Sequence, residues 1–273
     1  MKSPLLVLFF LCGTTAAKAQ INCNTYLWAG DSTAYQACRL YDYALNFPQG
    51  SRFSQMLCDR VLAICPRFDE AYMGKAVPYL KRGDFITWRI LIDKAVALNP
   101  KEHLGYRAWC RYQFLRDYAG ALEDLTQLEK IKQPNIGYSA NGDYHLIIAK
   151  ALCYKGLGEK EKAIAVIEKQ LSTPGYEPGY YDYLHLGVLK IETGNPQQAI
   201  PVLEKERALS VRFAETHYYL AQAYKLLGDR AEMSRHLQEA QSLCQQGQRR
   251  QDPYDHPADQ IYASDIAYAL EHW

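Results

Sequence analysis

Leu220-Ala221-Gln222-Ala223-Tyr224-Lys225-Leu226-Leu227-Gly228-Asp229 is the stretch whose reading decides the fold. Apolar residues fall at 220, 221, 224 and 227, the spacing of one buried helical stripe. Gly228 can then take the left-handed backbone that ends a helix. Asp229 can accept the free N–H groups that begin the next. The decamer therefore reads as the end of one helix, a tight turn and the start of a second helix packed back on the first.

The same turn recurs upstream at Gly83-Asp84, Gly158-Glu159 and Gly194-Asn195, with Arg116-Asp117 in the same slot without the glycine. Pro196 follows Asn195, where its fixed φ and missing N–H suit a first helical turn. The flanking apolar pattern returns with each turn. Tyr72, Ala76 and Tyr79 precede Gly83, and Trp88, Ile92 and Ala95 follow it. The next units give Trp109, Tyr112, Ala121, Leu125 and Leu128; then Ala151, Tyr154, Ala163 and Ile167; then Leu186, Gly187, Ala199 and Leu203; then Leu220 to Ala240. A weaker unit covers Cys38 to Pro66, with Gln49-Gly50 at its turn.

A repeat of about 34 residues with small residues at helix crossings resembles the tetratricopeptide repeat family. The resemblance covers about four fifths of the chain beyond its leader. It implies an all-α, right-handed helical-hairpin solenoid of about five to six repeats. Pro78 and Pro201 depart from the pattern and should bend their helices or delay their starts. Two insertions, 132–143 and 172–179, read as long turns on one side of the stack.

The first nineteen residues read as a secretion leader. Lys2 gives a basic start, Leu5 to Leu11 is apolar but too short to span a bilayer, and Ala17-Lys18-Ala19 is a small-x-small cleavage site. Leu11 before Cys12 argues against lipid attachment there. Export to a bacterial periplasm is the expectation, with secretion as the alternative. The expected organisation is a leader at 1–19, an N-terminal segment at 20–34, repeats at 35–244, a polar linker at 245–257 and a helix at 258–273 that caps the stack or, alternatively, lies in its groove until a partner displaces it. Without its cap, a solenoid leaves the end of its core exposed.

Seven cysteines remain after the leader, an odd set for an oxidising compartment, so at least one is unpaired within the chain or pairs between chains. Cys58 and Cys65 sit about 10 Å apart along one helix, too far to pair. Cys23 with Cys38 is the candidate disulfide, tying the N-terminal segment to the first helix. No C-x-x-C pair points to zinc or redox chemistry.

Composition excludes several classes. Lys plus Arg number 31 against 30 Asp plus Glu, which gives no electrostatic case for nucleic acid. No stretch beyond the leader is apolar enough to cross a membrane. No nucleophile elbow, zinc-protease helix or phosphate loop occurs, so no enzyme, cofactor or metal site is expected. Gly156 and Gly158 lie in a helix turn that lacks the strand a phosphate loop needs. His185 and His217 lie on first helices of adjacent units and read as ordinary groove or seam histidines, with a mutual approach as the alternative. Asp252, Asp255, His256 and Asp259 read as a solvated acidic loop.

The resemblance implies that first helices line a concave face that binds a protein or peptide. Helical phase puts Arg39, Tyr43, Met73, Lys81, Tyr106, Arg107, Gln113, Phe114, Ile148, Lys155, Tyr181, Tyr218, Gln222 and Lys225 on that face. Aromatics mixed with Arg, Lys and Gln suit recognition. Alternatively, the 22 Tyr and the long turns suit a carbohydrate or envelope polymer.

Overall fold

The computed structural model describes residues 21–209, 213–252 and 255–273. The leader and its cleavage site lie outside them. Fourteen α-helices occur among the described residues, with a single isolated β-bridge between Tyr138 and His145. No described helix is long and apolar enough to cross a membrane.

The chain divides after Pro78 into two compact units. In the first, α1 (Asn24–Trp28) leads into the hairpin of α2 (Ser32–Ala44) and α3 (Arg52–Ile64), and α4 (Asp69–Lys81) begins. Asp31 and Ser51 cap α2 and α3 by accepting from the backbone N–H groups of Ala34 and Ser54. Ala34, Ala37, Cys38, Tyr41, Cys58, Val61, Phe68 and Ala71 form the core of this unit. Cys23 and Cys38 are joined by a disulfide across 5.6 Å between Cα atoms. Cys58, Cys65, Cys110, Cys153 and Cys244 are free thiols, all buried except Cys244.

The second unit holds α5 (Phe85–Leu98), α6 (Pro100–Cys110) with a π-helical turn at Arg111–Leu115, and α7 (Tyr118–Ile131). The pairs α8 (Leu146–Gly156) with α9 (Lys160–Leu171), α10 (Asp182–Glu192) with α11 (Pro196–Ala208), and α12 (Ala214–Leu227) with α13 (Arg230–Gln245) follow. The last helix is α14 (Ala263–His272).

The turn chemistry explains why each hairpin folds back. Gly228 has φ of 79°, and Arg116 takes the same left-handed conformation at 54° despite its Cβ. Asp84, Asp117 and Asp229 each accept a hydrogen bond from the N–H three residues on. Asn195 departs from this pattern: its amide donates to the Thr193 carbonyl at 3.0 Å, and Pro196 begins the helix without a side-chain cap. Both interior prolines are accommodated, since α4 runs through Pro78 and α11 through Pro201, and neither helix starts late.

Small residues sit where helices cross. A Cβ on Gly187 would meet Leu203 of α11 at 2.4 Å. Ala221, fully buried, packs with Met233, Leu237 and Ala269. Tyr218, Ala221, Met233 and Leu237 thus form the seat of α14, with Trp273 against Tyr218 at 5.4 Å. The last helix therefore packs on α12 and α13.

Candidate functional site

In the first unit, α2 presents an exposed stripe at Ser32, Gln36, Arg39 and Tyr43. Tyr43 is 52% exposed and makes edge contact with Phe47, which in turn meets Phe53. Met73 of α4 is half-buried.

In the second unit the first helices are not bare. Residues 248–252 and 255–261 lie over them. This segment follows α13, and its Gln248 carbonyl accepts from the Ala214 N–H at the start of α12 at 2.9 Å. Arg250, 3% exposed, then lays its guanidinium over the Tyr181 ring at 3.8 Å and donates to the Tyr144 hydroxyl and the Ala258 carbonyl. At its far end Arg116 donates to the Asp255 carboxylate at 3.0 Å and to the His256 carbonyl at 2.6 Å. On the return Asp259 reaches Lys155 of α8 and His185 of α10, both at 2.6 Å. The loop closes where buried Glu215 accepts from the N–H groups of Arg250 and Ile261.

These bonds form a continuous chain. Arg250 donates to Tyr144, whose hydroxyl faces His185 Nε2 at 3.1 Å, while His185 Nδ1 faces Asp259. The pattern is satisfied by a neutral imidazole that accepts from Tyr144 and donates to Asp259. Burial pushes the His185 pKa down to about 4, and Asp259 only partly offsets it. Burial opposes ionisation of Asp259, but Lys155 and His185 outweigh it and hold the carboxyl below its ordinary range. The described residues 248–252 and 255–257 are therefore pinned to the helices, and Asp259 is an ion-paired buried group, not part of a solvated acidic patch.

Of the other residues placed on this face, Arg107 is paired to Asp93 at 2.8 Å and to Asp124 at 2.7 Å. Gln113 is 3% exposed and Ile148 is fully buried, so neither is available to a ligand as phase suggested. The π-helical turn at Arg111–Leu115 advances the phase by adding a residue to the turn, which carries Tyr112 and Gln113 inward. Ile148 belongs to a helix buried on nearly every side. Tyr106, Phe114 and Gln222 are half-buried, and Lys81 is exposed on α4. Tyr218 and Lys225 lie under Trp273, with the Lys225 ammonium 4.4 Å from its ring. His185 and His217 do not pair: His217 meets His236 at 2.9 Å.

A separate cavity of about 560 Å3 opens between the two insertions. Pro134, Asn135 and Tyr138 form one wall, residues 173–177 the other, and α7, α8 and α9 the floor. Nothing in helical periodicity could reveal it, because insertion length is legible in a sequence and insertion path is not.

Among known proteins, the tetratricopeptide repeat family matches residues 144–173. No curated protein matches the chain. The crystal structure of PilW, described as a widely conserved type IV pilus biogenesis factor, superposes with a TM-score of 0.60 at 15% identity, over 76% of this chain and 93% of that one. PilF of Pseudomonas aeruginosa gives 0.59 at 13% identity, over 77% and 93%. A chain of the APC/C Cut9–Hcn1 hetero-tetramer gives 0.56 at 16% identity, covering 91% of this chain and 46% of that one. Identities this low establish a shared fold and nothing finer.

Proposed function

We propose that this tetratricopeptide-repeat protein is a non-catalytic scaffold of the bacterial cell envelope that holds a protein partner on the exposed faces of its first helices. The observation that carries the reading is the loop at 248–261. Tyr144 and Tyr181, just before α8 and α10, receive Arg250 of this polypeptide on their rings, and the first-helix side chains Lys155 and His185 hold its Asp259. Aromatic and charged anchors of this kind dominate protein recognition. On α2 the corresponding face, with Arg39 and Tyr43, is open to solvent. The envelope placement rests on the leader, and the pilus-biogenesis names of two structural neighbours agree with it.

Docking on the first unit then falls to Arg39 and Tyr43, with the loop in place on the second. The double variant Arg39→Glu/Tyr43→Ala should lose no more than about 1.5 kcal/mol of stability, because both side chains are exposed and the packing lost is the Tyr43–Phe47 edge contact. It should lose about 2 kcal/mol or more of affinity for a partner isolated from the native cell, roughly a thirtyfold rise in Kd. Wild-type affinity in the folded variant would rule out α2 as the docking face.

A further inference from the structure

We infer that the cavity between the two insertions is a binding site for a neutral oligosaccharide, distinct from the protein-docking faces. Its volume of about 560 Å3 falls within the roughly 300–1,000 Å3 of small-molecule sites. Repeat packing does not require the cavity, since α8 and α9 are already joined by the short turn at Gly158. Two extra lengths of chain create it, one before α8 and one before α10.

Each wall is braced by its own bonds. Asn135 Oδ1 accepts from the Gly137 N–H at 2.7 Å and from His145 Nε2 at 3.0 Å. His145 Nδ1 accepts from the Ile147 N–H at 3.2 Å, so the ring is the neutral Nε2–H tautomer, and burial depresses its pKa. On the opposite wall the Tyr176 hydroxyl donates to buried Asp182 at 2.6 Å, and the Tyr176 N–H to the Thr173 carbonyl at 3.0 Å. The cavity is thus preformed, which spares a ligand the cost of ordering loops.

Its chemistry selects the ligand class. Tyr138 and Tyr176 both stand edge-on to His145, with centroids 5.1 Å and 5.5 Å away. Tyr138 lines the cavity and is 53% exposed, so it offers a ligand an amphipathic aromatic side chain. Lys150 is neutralised by Glu129 on the floor. Lys169 and Glu177 balance each other in charge, so the lining has no net sign to attract an anion or a cation. Among the described residues the side chains of Lys169, Gln170 and Glu177 hold no bond, leaving donors and acceptors for ligand hydroxyls. A flat apolar face bordered by unspent hydrogen-bonding groups of both kinds matches a sugar ring, whose axial hydrogens are apolar and whose rim is hydroxyl.

The test is calorimetric titration of the full chain with maltotriose, cellotriose and chitotriose as neutral probes, and a trigalacturonate as a charged one. At least one neutral trisaccharide should bind saturably with a Kd of about 1 mM or tighter. Tyr138→Ala and Gln170→Ala should each weaken it about tenfold while the melting temperature holds. Should Tyr138→Ala lose stability, Gln170→Ala carries the test alone. Absence of saturable binding by every neutral probe, preference for the charged one, or binding untouched by both substitutions overturns the assignment. None of those results bears on the Arg39 and Tyr43 face.

Discussion

Arg107 and Lys155 show how a residue can have the right chemistry for recognition and still be spent on the fold. Both lie on first helices, and both deliver charge to a partly buried carboxylate pair: Asp93 and Asp124 for Arg107, Asp259 and Glu192 for Lys155. Reversing either charge sets three carboxylates together with little water to screen them. Breaking a buried pair from one side costs about 3–5 kcal/mol, so Arg107→Glu and Lys155→Glu should each lower unfolding free energy by about 3 kcal/mol in urea titrations. A loss below 1 kcal/mol would mean these pairs are solvent-screened. Charge and helical phase alone place both residues on a ligand face, because their partners are not legible in the sequence. Asp259 lies 104 residues from Lys155, and no periodicity links the two.

His185 adds a pH dependence at the same scale. Its folded pKa lies at about 4, below the ordinary value of 6.5, with burial as the cause. The unfolded chain therefore takes up a proton near pH 6.5 that the folded chain refuses until about pH 4. The stability from this group is complete above pH 6.5 and drains away as pH falls toward 4, by about 2 kcal/mol between pH 7 and 5. Glu206 acts in the opposite sense, since burial raises its pKa to about 8. The wild type should therefore be compared with His185→Gln: the variant's stability should fall less between pH 7 and 5, and parallel pH profiles would refute the assignment.

At the scale of elements, the turns were the most legible feature. Gly83, Gly158, Gly194 and Gly228 each take positive φ, because a left-handed residue is what ends a helix tightly enough to start an antiparallel one. Ala221 belongs to the same scale, with its Cβ enclosed by Met233, Leu237 and Ala269. Ala221→Phe should cost about 1–3 kcal/mol by overpacking, read as a lowered melting temperature. An unchanged melt would mean α14 sits loosely on α12 and α13. Less legible were departures from strict periodicity. The π-helical turn at Arg111–Leu115 carries Gln113 inward, and no residue type announces such a turn.

At the scale of the molecule, repeats make successive first-helix faces equivalent in sequence, yet the structure uses them differently. On α8, α10 and α12 the face receives the loop at 248–261, and α12 also seats Trp273. On α2 the face stays open, with Tyr43 half exposed beside Phe47. A polar, proline-containing stretch gave no sign that Arg250 would be buried on Tyr181, because the tyrosines that receive it are scattered over distant turns.

The most direct measurement is site-specific photocrosslinking of the full chain in its native cell, with a benzophenone side chain at Tyr43 or, as a control on the second helix of the same hairpin, at Met56. Met56 is 44% exposed, so both probes reach solvent. A scaffold that holds a partner on its first helices should give one discrete protein adduct from position 43, at least tenfold weaker from position 56. Equal adducts from both positions, or an adduct from 56 alone, would contradict the account.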